Sequence, residues 1–328
     1  MPNNILALTF DITNRCNLHC RICGIWKERP RHDLALADIQ KILLCAPNLK
    51  SVSLTGGEAL LHPDIDAIYR HLCTLFLKKR LTNIDIATNA YDPLLLTFLK
   101  RHQKLLRPLS LSVSLDGIGA IHDTQRGTPG AFERVIAHVR AVKALGVPVA
   151  LKFTASRLNY THLPRVALLA HELKCSFSFK LVERLPSYYH RTKNERPPLL
   201  GKKDRAALHQ LILQVRRLPA LRKNSRMFDW HLRFLKEGSL DFIQNCQTPE
   251  HALFITSNGN IYNCLYQKPL STLAEWPARK ATTCFNNIRR GANGTCPKCL
   301  AYHGSLQTLT LPARDPIPGR VGRSVRIR

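Results

Sequence analysis

Three cysteines crowd into one short stretch near the start of the chain: Cys16, Cys20 and Cys23, spaced x3 and then x2. Thiolates that close together can wrap one metal centre from a single loop. They select soft or borderline metals, chiefly zinc, copper(I) or iron–sulfur clusters. Three ligands rather than four leave one coordination position open, which is what a catalytic centre needs; a zinc site completed by His19 is the competing reading. A second group gathers near the end, at Cys246, Cys264, Cys284, Cys296 and Cys299. Cys246 and Cys264 flank a candidate hairpin, and Cys296-x2-Cys299 forms a turn, so these four thiolates could surround one further cluster or a zinc ion. Cys284 reads as a free thiol, with replacement of one of those four ligands as the alternative. Cys45, Cys73 and Cys175 stand alone in apolar segments and read as small buried hydrophobes.

The elements that must position these groups follow from hydrophobic patterning. Short apolar, β-branched runs fall at 5–12, 51–54, 83–87, 109–115, 147–154 and 175–182. Helical spacing occupies 34–44, 65–77, 93–104, 132–145 and 163–173. Strands alternating with helices predict α/β architecture, with βα units and a parallel sheet that can close into a full or partial (β/α)6 barrel. Sites on such sheets collect at the carboxyl ends of the strands. The first cysteine triad sits there, after the first run. Gly56-Gly57-Glu58 follows the second, Asn89 the third, Asp116-Gly117 the fourth, Ser156 and Asn159 the fifth, and Glu183 the sixth.

Residues 187–240 are basic, contain Pro197-Pro198 and predict an amphipathic helix over 204–217, a bridge between domains. Phe254–Tyr262 reads as a β-hairpin about Asn258-Gly259. The expected divisions are therefore a core over 1–186, a helical bridge over 187–240, a small hairpin-plus-helix cysteine domain over 241–305, and a poorly ordered basic tail over 306–328.

Composition sets bounds. The chain has 328 residues, 45% hydrophobic and 22% charged, the balance of a soluble globular protein. No apolar run approaches the ~20 residues that span a bilayer. The first residues lack the features of a signal peptide, so a cytoplasmic location is expected. Eleven cysteines without an export signal point to metal ligation or catalysis rather than disulfides. The net charge of +27 fits an anionic substrate, an acidic protein partner, nucleic acid or an anionic membrane surface.

With these residues in view, the chain resembles the radical S-adenosylmethionine (SAM) superfamily. The resemblance rests on CNLHCRIC after the first strand, TGGE after the second, SLDG after the fourth, and IHDTQRG beyond it, covering roughly residues 5–185. It departs from many members at Ile22, where an aromatic residue is common. It implies that Cys16, Cys20 and Cys23 bind three irons of a [4Fe–4S] cluster whose fourth iron is chelated by SAM. It also implies that Gly56, Gly57 and Glu58 meet the methionyl amino group, and that Asn89, Ser114 and Asp116 contact ribose and methionine. Arg126 is a candidate for the SAM carboxylate, with a surface salt bridge as the alternative. The later cysteines resemble the twitch or SPASM extension, which implies one auxiliary [4Fe–4S] cluster on Cys246, Cys264, Cys296 and Cys299.

The implied reaction is reductive cleavage of SAM to a 5′-deoxyadenosyl radical that abstracts hydrogen from a substrate C–H bond. The auxiliary cluster would accept an electron, making the outcome a net oxidation. A small polar metabolite is the expected substrate, because the chain starts at its first strand without room for an N-terminal peptide-recognition domain. Crosslinking or oxidation of a ribosomally made peptide is the alternative, and an RNA-binding or RNA-modifying role is a second. The basic surface would also suit an acidic electron donor such as flavodoxin or ferredoxin.

Overall fold

A computed structural model of the chain describes residues 5–182, 198–219, 225–240, 251–265 and 267–276. Cys246, Cys284, Cys296, Cys299, Glu183 and the tail over 306–328 lie outside the described residues, as do Pro197 and much of the remaining bridge and cysteine domain.

Six strands run parallel: β1 (Ala7–Thr13), β2 (Ser51–Gly56), β3 (Asn83–Thr88), β4 (Leu109–Ser114), β5 (Val149–Ala155) and β6 (Ser176–Leu181). Each lies beside its sequence neighbour, the order of a singly wound barrel wall. Between them come α1 (Leu36–Leu44), α2 (Ile65–Leu77), α3 (Leu94–Arg101), α4 (Ala120–Arg126), α5 (Ala131–Ala144) and α6 (Leu163–Glu172). The expected helix over 93–104 ends early. His102 turns inward to Asp66, Nε2 to Oδ1 at 2.7 Å, and a 3-10 turn follows at Gln103–Leu105.

The strands alternate with period two. On β4, Leu109, Leu111 and Val113 are buried, while Ser110, Ser112 and Ser114 are half-buried on the other face. β3 does the same, with Ile84 and Ile86 buried and Asp85 opposite. The apolar face joins the core beneath the helices, where each large aliphatic side chain contributes about 1.5–3 kcal/mol. The other face is lined by small polar side chains. A parallel sheet buried on both faces reads as a near-continuous apolar run, so this alternation marks a concave polar face.

Two helices from the segment expected to form a bridge pack onto this core. α7 (Lys202–Val215) buries Leu208, Ile212 and Val215, close to the expected amphipathic helix. α8 (Ser225–Glu237) was not read from the sequence; its Phe228 packs edge-on, and its His231 at a tilt, against Phe179 of β6. The hairpin forms as expected, from β7 (Ala252–Ile255) and β8 (Asn260–Tyr262), with a short β9 (Ser271–Thr272) beside it. It is not a sheet of its own. β7 pairs in parallel with β1, so one nine-stranded sheet runs β6-β5-β4-β3-β2-β1-β7-β8-β9.

Candidate active site

The cysteine loop is held from three sides. At its root, the Thr13 hydroxyl donates to Asp33 at 2.5 Å, and Arg15 donates to both Asp33 oxygens, with Nε at 3.1 and 3.0 Å. On the β2 side, Gly57 N–H donates to the Thr13 carbonyl at 2.8 Å, and Glu58 N–H to the Arg15 carbonyl at 2.7 Å. A Cβ on Gly57 would stand 2.1 Å from the Arg15 carbonyl oxygen, and one on Gly56 would stand 2.3 Å from that of Thr13. Only glycine permits so close a backbone approach. On the third side, the N–H groups of His19 and Arg21 donate to the carbonyls of Arg126 and Gln125 at 3.2 and 3.0 Å. α4 ends there on Gly127, left-handed at φ 66°, whose Cβ would meet the His19 carbonyl oxygen at 2.4 Å. The TGGE and QRG segments thus grip one loop between them.

Within the loop Cys20 is buried, and Cys16 and Cys23 are half-buried. Burial pushes all three thiols up, Cys16 to about 11 and Cys23 to about 12. Their thiolates therefore need positive charge, which bound metal supplies most directly. Among the described residues, no group of three His, Cys, Asp or Glu side chains converges on a single ion. A four-iron cube spreads three thiolates over three different corners and does not require such convergence. His19 packs edge-on against Trp26, with ring centroids 4.7 Å apart. The donor set fits an iron–sulfur cluster: three thiols from one loop, fixed in backbone and paired with a cation.

That cation is Arg126. It is buried, with one guanidinium nitrogen 2.7 Å from Asp116 Oδ2 and another donating to the Cys20 sulfur at 3.7 Å. The salt bridge expected as its alternative role exists, but it lies in the interior. Asp116 is fully buried; its other oxygen accepts Thr154 N–H at 2.8 Å, and its carbonyl accepts from Asn159 at 2.9 Å. Asn159 in turn accepts from the Ser156 N–H and hydroxyl, so the rim residues of β4 and β5 form one network.

Glu58 is also buried. Its two oxygens accept the N–H groups of Leu60 at 3.3 Å and Asn89 at 2.7 Å, and burial raises its carboxyl to about 7. Each oxygen retains acceptor capacity. The Asn89 side chain donates to Asn17, inside the cysteine loop, at 2.8 Å. Ser114 stands at the end of β4, in register with Lys152 of β5.

Sequence reasoning missed three charged residues on the concave face. Asp85 accepts the hydroxyls of Ser53, Ser110 and Ser112 at 3.2, 3.2 and 3.0 Å. Burial raises its carboxyl, and Lys152 opposes the rise. Lys152 reaches solvent, yet it sits crowded within the concavity, and that crowding lowers its ammonium while Asp85 raises it. Asp11, on β1, is buried, and its Oδ1 has no hydrogen-bond partner among the described residues. The signal was present in the alternation Ser-Leu-Ser-Val-Ser and in acids placed between apolar neighbours.

This fold and loop define a class, and direct comparison agrees: residues 10–163 match the Radical SAM superfamily, and that part of the chain is a radical SAM domain. Among curated relatives, the AdoMet-dependent heme synthase of Methanosarcina barkeri is 29% identical over 178 residues, 53% of this chain and 49% of that protein. The antilisterial bacteriocin subtilosin biosynthesis protein AlbA of Bacillus subtilis is 26% identical over 186 residues, 54% of this chain and 40% of that protein. The chain thus spans half or less of the length of these relatives. In fold it is similar to Streptococcus suis SuiB bound to precursor peptide SuiA, with TM-score 0.63 and 19% identity over 93% of this chain and 71% of that one.

Proposed function

We propose that the chain is a radical SAM enzyme that removes hydrogen from a C–H bond of a hydrophilic substrate, with a ribosomally made peptide as the leading substrate class. The single observation that carries the first part is the loop of Cys16, Cys20 and Cys23 gripped between Gly57 and Gly127 with Arg126 beside it. The peptide reading draws on the relative named for bacteriocin biosynthesis and on the fold shared with a protein bound to a precursor peptide. It replaces a small polar metabolite as first choice. The metabolite stays as the second reading, because the concave face around Asp85 and Lys152 suits hydroxyl-bearing or charged substrates of either kind.

When bound, the cluster and SAM supply a 5′-deoxyadenosyl radical. The chain's own residues would do the rest. Cys16, Cys20 and Cys23 would hold three irons and leave one for SAM. Glu58 would accept the methionyl ammonium, with Gly56 and Gly57 keeping the backbone low beneath it. Asn89 and Ser114 would face ribose, and Asp116 would act through its fixed ion pair. Arg126 would balance thiolate charge at Cys20, so its service to the SAM carboxylate would be secondary. The concave wall would orient the substrate carbon and exclude stray hydrogen donors.

An auxiliary [4Fe–4S] cluster on Cys246, Cys264, Cys296 and Cys299 belongs to the same proposal. Of these, Cys264 is described, half-buried just beyond β8. Those four thiolates would hold a one-electron acceptor beside the substrate, so that loss of the radical's electron to it and of a proton to solvent would make the outcome a net two-electron oxidation; an acidic flavodoxin or ferredoxin would supply the electron for SAM cleavage.

Anaerobic reconstitution tests the reading. The protein should bind about eight irons, as two four-iron clusters, and release 5′-deoxyadenosine from SAM and dithionite. Cys16→Ala should abolish that release. Iron-free protein, or release unaffected by Cys16→Ala, would refute it.

A further inference from the structure

A cavity of about 250 Å3 opens where the end of β1, the segment after the cysteine loop and the β7–β8 turn meet. Asp11 forms part of its wall, 5% exposed, and its Oδ1 has no hydrogen-bond partner among the described residues. Glu28 faces the same space. The His32 ring and Ser257 also border the space, whereas Asn14, Arg29 and Thr256 are engaged within the protein. Asn14 spends its amide on the Pro30 carbonyl and the His32 N–H. Arg29 turns its guanidinium to the carbonyls of Trp26 and Glu28, and Thr256 donates its hydroxyl to Asn258 across the turn.

A buried carboxylate oxygen without a donor is costly, and a bound ligand is one way in which such an oxygen is completed. Two carboxylates face the cavity while its arginine is committed to backbone carbonyls, so the missing ligand is a donor carrying positive charge. We propose that this cavity is a binding subsite for an organic cation, a primary ammonium or guanidinium group, with Asp11 as its acceptor and Glu28 as a second negative charge.

The position makes the subsite useful. Asp11 Oδ1 lies 2.8 Å from where a Cβ on Gly56 would stand, directly beneath the Gly-Gly-Glu segment. A cationic group anchored here would fix a substrate beside the cysteine loop. Burial, with Glu28 adding to it, raises the Asp11 carboxyl to about 8, so an arriving cation would draw it into its charged form. Cation binding rests on the cavity alone. Its assignment to the radical enzyme's substrate rests on the function proposed above.

The probes are n-butylammonium, n-butanol and butyrate, followed by saturation-transfer NMR on the anaerobically reconstituted full chain at pH 7.5. Butylammonium should bind with millimolar affinity, and butanol and butyrate at least tenfold more weakly. Asp11→Asn should weaken butylammonium at least tenfold, and Glu28→Gln by a smaller factor, as expected for a charge-assisted contact and a more distant charge. Circular dichroism establishes that each variant is folded. If Asp11→Asn fails to fold, Glu28→Gln and the butanol comparison decide alone. Equal binding of butylammonium and butanol, or undiminished binding by the folded variants, would overturn the proposal. Iron content and 5′-deoxyadenosine release report separately on the enzyme assignment, so loss of those with cation binding intact removes the function and keeps the subsite.

Discussion

Arg126 and Asp116, ten positions apart in sequence, meet in the interior at 2.7 Å and tie the end of α4 to the end of β4. The same guanidinium reaches the Cys20 sulfur. One side chain therefore neutralises a buried carboxylate and a candidate metal ligand together.

Breaking this pair by half should be costly. Arg126→Gln leaves Asp116 buried without its cation, and the expected loss is about 3–5 kcal/mol. Urea unfolding followed by circular dichroism measures it. A loss below about 1 kcal/mol, the range of a surface pair, would show that Asp116 is hydrated instead.

Gly57→Ala should push the cysteine loop off β2, because its Cβ would stand 2.1 Å from the Arg15 carbonyl oxygen. Iron loading should fall severalfold while far-UV circular dichroism stays close to wild type. Gly201→Ala, whose Cβ would meet nothing nearer than Asp204 at 3.4 Å, is the matched control and should load normally. Equal iron in both variants would mean the grip on the loop is dispensable.

Glu58→Gln tests the role proposed for that carboxylate. Replacing a charge-assisted hydrogen bond by a neutral one should weaken SAM binding about 10- to 100-fold, from about 1.5–3 kcal/mol. Equilibrium dialysis with labelled SAM on reconstituted protein reads it. Unchanged affinity would assign Glu58 to the backbone N–H groups of Leu60 and Asn89 alone.

Stability should fall with pH through Asp11. Its folded carboxyl titrates at about 8 against 3.8 for the free residue, raised by burial and then by Glu28. Between those values the folded chain holds a proton that the unfolded chain has lost. The contribution is therefore fully present below about pH 4 and gone above about pH 8, a change of up to a few kcal/mol. Glu58 adds in the same direction, and the buried His122, lowered to about 3, acts oppositely at acid pH. The difference between wild type and Asp11→Asn isolates the one group. Its wild-type advantage should shrink steadily between pH 5 and 8, and parallel stability curves would place Asp11 in water.

The strands were legible because their two faces differ so sharply. Leu-Ser-Leu-Ser-Val-Ser can only be a strand with one wet side, and β1 to β6 fall within a few residues of their expected bounds. The cysteine loop, Gly56, Gly57 and Glu58 were legible by type and offset. α4 was not, because Ile-His-Asp-Thr-Gln-Arg is short and polar and is buried by its surroundings rather than by its own pattern. The interior meeting of Arg126 with Asp116 was equally hidden, since it depends on two elements converging in space. Asp11 and Asp85 each passed as one polar letter in an apolar run, and only the sheet shows that both project into the concavity. The parallel pairing of β7 with β1 also left no mark, because Ala-Leu-Phe-Ile suits either neighbour.

That pairing bears on how the molecule is made. β1 is hydrogen-bonded on both sides, yet one partner follows about forty residues later and the other about two hundred and forty. During synthesis the strand beneath the triad keeps a bare flank until residues 252–255 leave the ribosome. Through that interval it is a template for stray strands. Nascent chains truncated before residue 252 should thus cling to chaperones that release the finished chain.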